Sequence, residues 1–416
     1  MLDPKLIREN PKLVEKKSLE KGIKINIDNI SDLDARVREI DLLVQKLREE
    51  RNRLAKNIST ASSKEEAINK GREIREKLEK EEKALDTLKE EYRKALMTVP
   101  NLIKDDVKVG KDESENEVIR KYGKPRKFNF KPKDHLELGE ALDIIDVKTA
   151  AKISGPRFDY LKNDGVLLEF ALKQYAFAVL LKEGFTPVIP PVLIKKEIME
   201  GLGYTQMGED ENIFTLDKDG FYLVGTAEQS IVPMFKDEVL NKKDLPKRFA
   251  GFSTCFRREA GSYGKDTKGI FRVHQFDKVE MVSFVEEGKD DEEHEYLLSI
   301  EEKLFQALEI PYQVVKMCSG DLGFPAARKY DIEAWIPSQE RYREVTSVST
   351  VTDFQSRRLN MKYQDGEQKK YLYVLNGTAY SMNRPIIAIL ENYQQQDGSV
   401  LVPDVLQKYI NKKVIK

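Results

Sequence analysis

The sequence predicts an α+β chain in which a long antiparallel two-helix coiled coil precedes an antiparallel sheet. Three observations predict it. Residues 31–99 hold no proline, Gly71 is their only glycine, and their apolar residues recur at heptad spacing. Beyond residue 165 that rhythm gives way to a mixture of helical and strand-like runs. One run, Ile270–Phe284, presents Arg272, His274, Phe276, Lys278 and Glu280 on one side. A strand inside a parallel sheet would be apolar on both faces, so this one belongs to an antiparallel hairpin facing a wet cleft.

Composition bounds the rest. At about 150 residues per domain, 416 residues make two or three domains. The hydrophobic fraction of 40% supports a sizeable core and excludes wholesale disorder. The charged fraction of 34% exceeds the roughly 25% of an average domain, which points to a long solvated helix. No run approaches about 18 apolar residues, so no membrane partner is expected. Residues Met1–Asn10 lack the apolar core of a signal peptide. Cys255 and Cys318 cannot build a disulfide framework, which suits a reducing cytoplasm. With three histidines, His135, His274 and His294, they leave little for a zinc cluster, so no zinc is expected. With 71 basic and 72 acidic residues the formal net charge is -1, so any basic surface must be local.

In the first region the seam runs Leu33, Val37, Ile40, Val44, Leu47, with Arg51 in the next slot, then Leu54 and Ile58. It resumes as Ala67, Gly71, Ile74, Leu78, Glu81, Leu85, Leu88, Tyr92, Ala95 and Val99. Ser59–Ser63 forms a polar break, Ser63 and Glu66 read as a capping box, and Pro100 ends the second helix. A turn near residues 60–64 favours facing residues whose numbers sum to 125, so that Leu33 meets Tyr92 and Arg51 meets Ile74. Between residues 51 and 64 the charges are Arg51, Arg53, Lys56 and Lys64, with no acid. Spacing alone leaves two readings open: a coiled coil for dimerisation or spacing, or a lever that lays its basic tip on a phosphate backbone. The boundary with the second domain is placed after residue 104, giving domains 1–104 and 105–416.

In the second region Val166–Glu183 reads as a helix closed by Gly184. Phe185–Pro191 reads as a strand that its prolines confine to an edge or an interface. Residues 219–228 read as a turn and a strand ending in Thr226, Ala227 and Glu228, with Thr226 and Glu228 on one face. Phe249–Glu259 is a strand ending in Arg257, Arg258 and Glu259. Arg341–Val351 is a strand carrying Glu344 and, three residues on, Ser347; a carboxylate and a hydroxyl beside a nucleotide can hold Mg²⁺. Tyr371–Leu375 is a strand with Asn376–Thr378 as its polar end, and Arg384 stands at the entrance of a helix opened by Pro385. The Gly261–Thr267 stretch is not a phosphate-binding loop: Glu259 stands where that loop needs glycine, and Asp266 where it needs Ser or Thr.

These segments resemble a known family. HLELGEALDIIDVKTAAKISGPRF, VGTAE, FRREAGSYGKDTKGIFRVHQFDKVEM, EVTS followed by DFQSRRL, and LNGTAYSMNRPIIAILENYQ, together with the heptad hairpin, are similar to the bacterial-type seryl-tRNA synthetases, class II aminoacyl-tRNA synthetases, over essentially the whole chain. The resemblance implies an antiparallel catalytic sheet flanked by helices and a homodimer built partly around Pro187–Pro191. It implies a ligase that activates L-serine with ATP to seryl-adenylate, releasing pyrophosphate, and passes the seryl group to the acceptor end of tRNA(Ser), gripping the long variable arm with the hairpin. A selenocysteine tRNA stays open as a second acceptor. Carried over by motif, Thr226, Ala227, Glu228, Glu280, Asn376 and Thr378 line the serine site. Arg257 holds the α-phosphate, Glu259 the adenine amino group, and Phe276 stacks the adenine beside the Val273 main chain. Arg272 and Arg384 take the terminal phosphates. Arg258, Val345 and Thr346 adjoin the nucleotide, and Glu344 with Ser347 completes the ATP–Mg²⁺ site. The chain departs from the family pattern at Thr378, Asn383 and Thr350, where serine, glycine and asparagine are usual. A paralogue charging a non-tRNA acceptor would lack the hairpin. A non-catalytic relative would lack Arg257, Glu259, Glu344 or Arg384.

Overall fold

The computed structural model describes residues 1–57, 64–206, 209–260 and 268–416. The polar break at Ser59–Ser63, the Ser63 end of the capping box, the seam positions Ile58 and Ala67, the Lys64 side chain and most of the loop after Ala260 lie outside the described residues. The chain divides into two compact units, Met1–Leu102 and Ile103–Lys416.

The first unit consists of α1 (Pro4–Glu9), α2 (Pro11–Glu20), α3 (Ile27–Asn57) and α4 (Lys64–Met97). The 31 residues of α3 span about 46 Å at ~1.5 Å per residue. Val44 and Leu47 of α3 are buried against Ile74, Leu78 and Leu85 of α4, with Val37, Ile40 and Leu54 half-buried beside them. Ion pairs flank this seam. Arg48–Glu82 and Asp41–Lys89 sum to 130 on one side, and Glu50–Lys70 to 120 on the other. The two flanks bracket 125 symmetrically, as an antiparallel pair in that register requires. Arg51 departs from the heptad reading: it is exposed, because a guanidinium is better solvated than buried at the distal end of the seam. At the base, Asp34 is buried but accepts from Arg8 (3.0 Å), Arg38 (3.0 Å) and the Tyr92 hydroxyl (2.8 Å), which offsets its desolvation.

The second unit is built on an eight-stranded sheet. Its strands are β1 (Glu117–Tyr122), β2 (Thr186–Val188), β3 (Lys247–Phe256), β4 (Gln275–Val285), β5 (Tyr312–Lys316), β6 (Arg328–Ile336), β7 (Arg341–Thr352) and β8 (Tyr373–Ser381), in the order β1-β5-β6-β7-β8-β4-β3-β2. All neighbours are antiparallel except β2, which runs parallel to β3 at the sheet edge. Pro187 lacks a donor, which suits that edge place. Helices α5 (Asp164–Lys182), α6 (Asp290–Ala307) and α7 (Asn383–Tyr393) pack on the sheet through Leu168, Leu172, Leu304, Phe305, Ile386 and Leu390, and with Met281, Ile332, Val348 and Tyr380 they make the main core.

Several expected boundaries move. The hairpin strand begins at Gln275 rather than Ile270, so Arg272 precedes the ladder. Strand β3 stops at Phe256, so Arg257 and Glu259 lie beyond it. Thr226–Glu228 is not a strand end: the strand stops at Leu223, and Glu228 opens a helical turn, Glu228–Ile231. Asn376–Thr378 is the middle of β8, not its end.

Candidate active site

The face of the sheet turned away from the three helices carries a polar cleft in two adjoining parts. One part is lined by Glu259, Arg272, Phe276, Thr346, Thr378 and Arg384, among others. The other is lined by Tyr204, Thr226, Glu228, Glu280, Ser349 and Asn376, among others. Arg257, Lys278, Glu344 and Ser347 border both.

Two β-bulges create this convergence. A strand alternates faces with period two, so Glu344 and Ser347, three residues apart, should point in opposite directions. Against β6, however, Ile332 pairs with Thr346 and Glu333 with Glu344, leaving Val345 as a surplus residue. That bulge restores both side chains to the cleft. On β8, Val279 pairs with Tyr380 and Glu280 with Thr378, leaving Ala379 surplus. Thr378 and Ser381 thereby reach the same cleft.

In the first part the guanidiniums meet carboxylates and rings. Arg272 Nη1 lies 3.0 Å from Glu259 Oε2, and Arg384 Nη1 lies 3.1 Å from Glu344 Oε2. Arg257 sits over the Phe276 ring with its guanidinium carbon 5.4 Å from the centroid, and its Nε donates to the Gly225 carbonyl (3.2 Å). Burial pushes the Glu344 carboxyl up, but Arg384 and Lys329 outweigh it and hold it down at about 2. Glu259 has φ +51, an uncommon left-handed conformation that carries a strain of order 1–2 kcal/mol. The Arg157 guanidinium clamps its carbonyl at 3.0 Å.

The second part is a pocket of hydroxyls and carboxyls. Lys278 Nζ lies 2.6 Å from Glu280 Oε2 and donates to Thr226 Oγ1 (3.3 Å). Thr378 Oγ1 donates to Glu280 Oε2 (3.3 Å). Thr226 Oγ1 also accepts from the Glu228 N–H (3.4 Å), so both its lone pairs are used and its O–H is left to donate. Glu228 accepts from the Tyr204 hydroxyl (2.9 and 3.0 Å) and from Gln355 Nε2 (3.2 Å), all neutral donors. Burial, and next the Glu280 charge, raise its carboxyl to about 7.

Of the residues expected from sequence, Arg257, Glu259, Arg272, Val273, Phe276, Glu344, Val345, Thr346, Ser347, Thr378 and Arg384 border the first part, and Thr226, Glu228, Glu280 and Asn376 the second. Ala227 is buried beneath, and Arg258 turns instead toward the Phe214 ring. Arg51, Arg53 and Lys56 are exposed on α3 in the other unit. Sequence reasoning placed Lys278 on the right face but gave it no part, and it missed Tyr204 and Gln355, which arrive from remote segments with no local signal.

An antiparallel sheet presenting paired arginines and carboxylates over one cleft defines the class II aminoacyl-tRNA synthetases, and residues 213–393 match the model of the tRNA synthetase class II core domain (G, H, P, S and T). Residues 1–103 match the seryl-tRNA synthetase N-terminal domain. A serine–tRNA ligase of Dictyoglomus turgidum is 42% identical, the match covering 100% of this chain and 99% of the relative. A crystal structure of seryl-tRNA synthetase from Pyrococcus horikoshii complexed with ATP superposes with a TM-score of 0.92 at 42% identity, covering 100% of this chain and 99% of that one. The cytoplasmic serine–tRNA ligase of Naegleria fowleri in complex with AMP gives 0.89 at 29% identity, with the same coverage. The chain belongs to the seryl-tRNA synthetase family.

Proposed function

We propose that this chain is a serine–tRNA ligase that condenses L-serine with ATP in the cleft and then esterifies the 3′ end of tRNA(Ser). The observation that carries this reading is the junction of the two cleft parts: a pocket of hydroxyls and carboxyls opens directly into an arginine-lined groove across Arg257 and Lys278. The ATP- and AMP-bound relatives support a nucleotide in that groove.

In this reading the serine carboxylate oxygen attacks the α-phosphorus, a P–O bond forms, and pyrophosphate leaves with the electron pair of the broken bond. The terminal ribose hydroxyl of the tRNA then attacks the seryl carbonyl and AMP departs. No side-chain nucleophile is needed; catalysis is positioning and neutralisation of phosphate charge. Arg257 spans the serine carboxylate and α-phosphate, Phe276 stacks the adenine, Glu259 accepts from its amino group, and Arg272 and Arg384 take the terminal phosphates. Glu344 and Ser347 share the cleft, and an ionised carboxylate beside a hydroxyl fits Mg²⁺, which would neutralise phosphate charge when bound. Thr226, Glu228, Glu280, Asn376 and Thr378 receive serine. A homodimer through the Pro187 edge is supported by the outer side of β2, which pairs with no strand among the described residues, and by Ile189, 82% exposed beside it. No described helix is long and apolar enough to cross a membrane.

ATP–pyrophosphate exchange across all twenty amino acids tests the assignment. Serine should support exchange. Alanine should be rejected by ~10⁴-fold because it leaves buried polar groups unpaired, and threonine less strongly, by size alone. Robust exchange with another amino acid and none with serine would overturn the reading. A pH profile tests Glu228. Below about 7 its carboxyl is neutral, and above it is an anion that attracts the substrate ammonium. Serine kcat/KM should therefore rise roughly tenfold from about pH 6 to about pH 8, and Glu228→Gln should flatten that limb.

A further inference from the structure

We propose that Lys278 is a specificity-determining positioning residue, the counter-charge that fixes Glu280 so that one bare carboxylate oxygen faces the hydroxyl of the amino-acid substrate. The inference deepens the proposed function and rests on Glu280 lying in the serine pocket.

Lys278 is 6% exposed, on the same strand as Glu280. Its Nζ and Thr378 Oγ1 both engage Glu280 Oε2, at 2.6 and 3.3 Å. Glu280 Oε1 makes no hydrogen bond with a described residue. An ionised carboxylate only accepts, so this oxygen selects a ligand that donates, as a β-hydroxyl does and a methyl does not. Glu228 from the helical turn and Arg257 from the end of β3 line the same pocket as Glu280, and its charge also acts on the Glu301 carboxyl of α6 and on the Cys255 thiol of β3. Glu301 is buried in the helical layer, with Oε2 taken by the Thr346 hydroxyl (2.8 Å), whereas Glu228 and Glu280 line one pocket in which Lys278 is the buried cation in contact with Glu280. Without that cation Glu280 would be an unpaired buried charge and would leave its rotamer. That movement takes the acceptor-only oxygen away from the substrate hydroxyl. The same lysine orients Thr226, whose hydroxyl it turns into a donor by occupying its lone pair.

The test is a double-mutant cycle read by pyrophosphate exchange with serine and alanine. Lys278→Met should lower serine kcat/KM about 100-fold while barely changing that for alanine, collapsing the preference. In an Glu280→Gln background, which has no charge to balance, Lys278→Met should change serine kcat/KM by less than about threefold. Lys278→Gln, which keeps a polar head without charge, should repeat the Lys278→Met loss and serves should the methionine variant fold poorly, judged by its thermal melt. Additive losses, or an unchanged serine-to-alanine ratio in Lys278→Gln, would overturn the proposal. If Glu280→Gln alone left the ratio untouched, the pocket assignment itself would fall, so the two failures are separable.

Discussion

Arg257→Ala should abolish serine-dependent pyrophosphate exchange, by about 10³-fold or more, while leaving the protein folded. Arg257 borders both parts of the cleft and stands over Phe276, at the place where the reacting carboxylate and phosphate must meet. A guanidinium aimed at charge developing in a partly desolvated site contributes about 4 kcal/mol to the transition state, which is that factor in rate. The fold should tolerate the change. Arg257 lies past the end of β3, is only half-buried, and makes no ion pair with a described residue, so no carboxylate is orphaned. Its Nε bond to Gly225 is worth ~1 kcal/mol. Exchange at the wild-type rate with an unshifted melting temperature would refute the assignment; Arg257→Lys should recover little, because a point charge cannot bridge two oxygens in a plane.

Shortening the coiled coil should separate the two half-reactions. Asp41 and Lys89 face each other at 3.2 Å, so residues 42–88 can be excised and the ends joined by a short glycine linker without disturbing the Asp34 cluster. Exchange should be unchanged, whereas charging of tRNA(Ser) should fall at least ~100-fold. The physical reason is local charge: Arg51, Arg53 and Lys56 are exposed near the distal end of α3, on a chain whose net charge is -1. Neutralising them together should flatten the salt dependence of charging by a log–log slope of about 2 to 3, at ~0.7–0.9 per phosphate contact. If charging by the shortened chain matched the intact one, the coiled coil would be a spacer.

What could be read from the sequence follows the range of the forces involved. The helical pair was legible because a heptad is a local signal repeated many times: Val44, Leu47, Ile74, Leu78 and Leu85 stand buried where the rhythm put them. Arg51 shows its limit, since spacing cannot tell a filled slot from an open one. The alternation of residues 270–284 announced an antiparallel strand with a polar face, although the ladder itself starts only at Gln275. Period two failed at Glu344 and Ser347, which share the cleft through a surplus Val345 that only strand pairing reveals. It failed again at Thr226 and Glu228, where a helical turn replaces the strand. The parts assigned to individual residues came from resemblance to a family rather than from spacing. The supports of Glu228, Tyr204 and Gln355, lie 24 and 127 positions away and carried no signal at all.

Val345 and Ala379 make chain length itself a constraint on what this pocket can become. Each is the surplus residue of its bulge, so removing it leaves a regular strand in which Glu344 and Ser347, or Thr378 and Ser381, still share the cleft face, whereas one further residue would send Ser347 or Ser381 into the helical layer. Ligand preference along these two walls can therefore drift by exchange of one side chain for another or by loss of the surplus residue, yet the gain of one further residue is closed to it. Any redesign of the enzyme should keep Glu344 and Ser347, and Thr378 and Ser381, two paired positions apart, with or without the surplus residue between them.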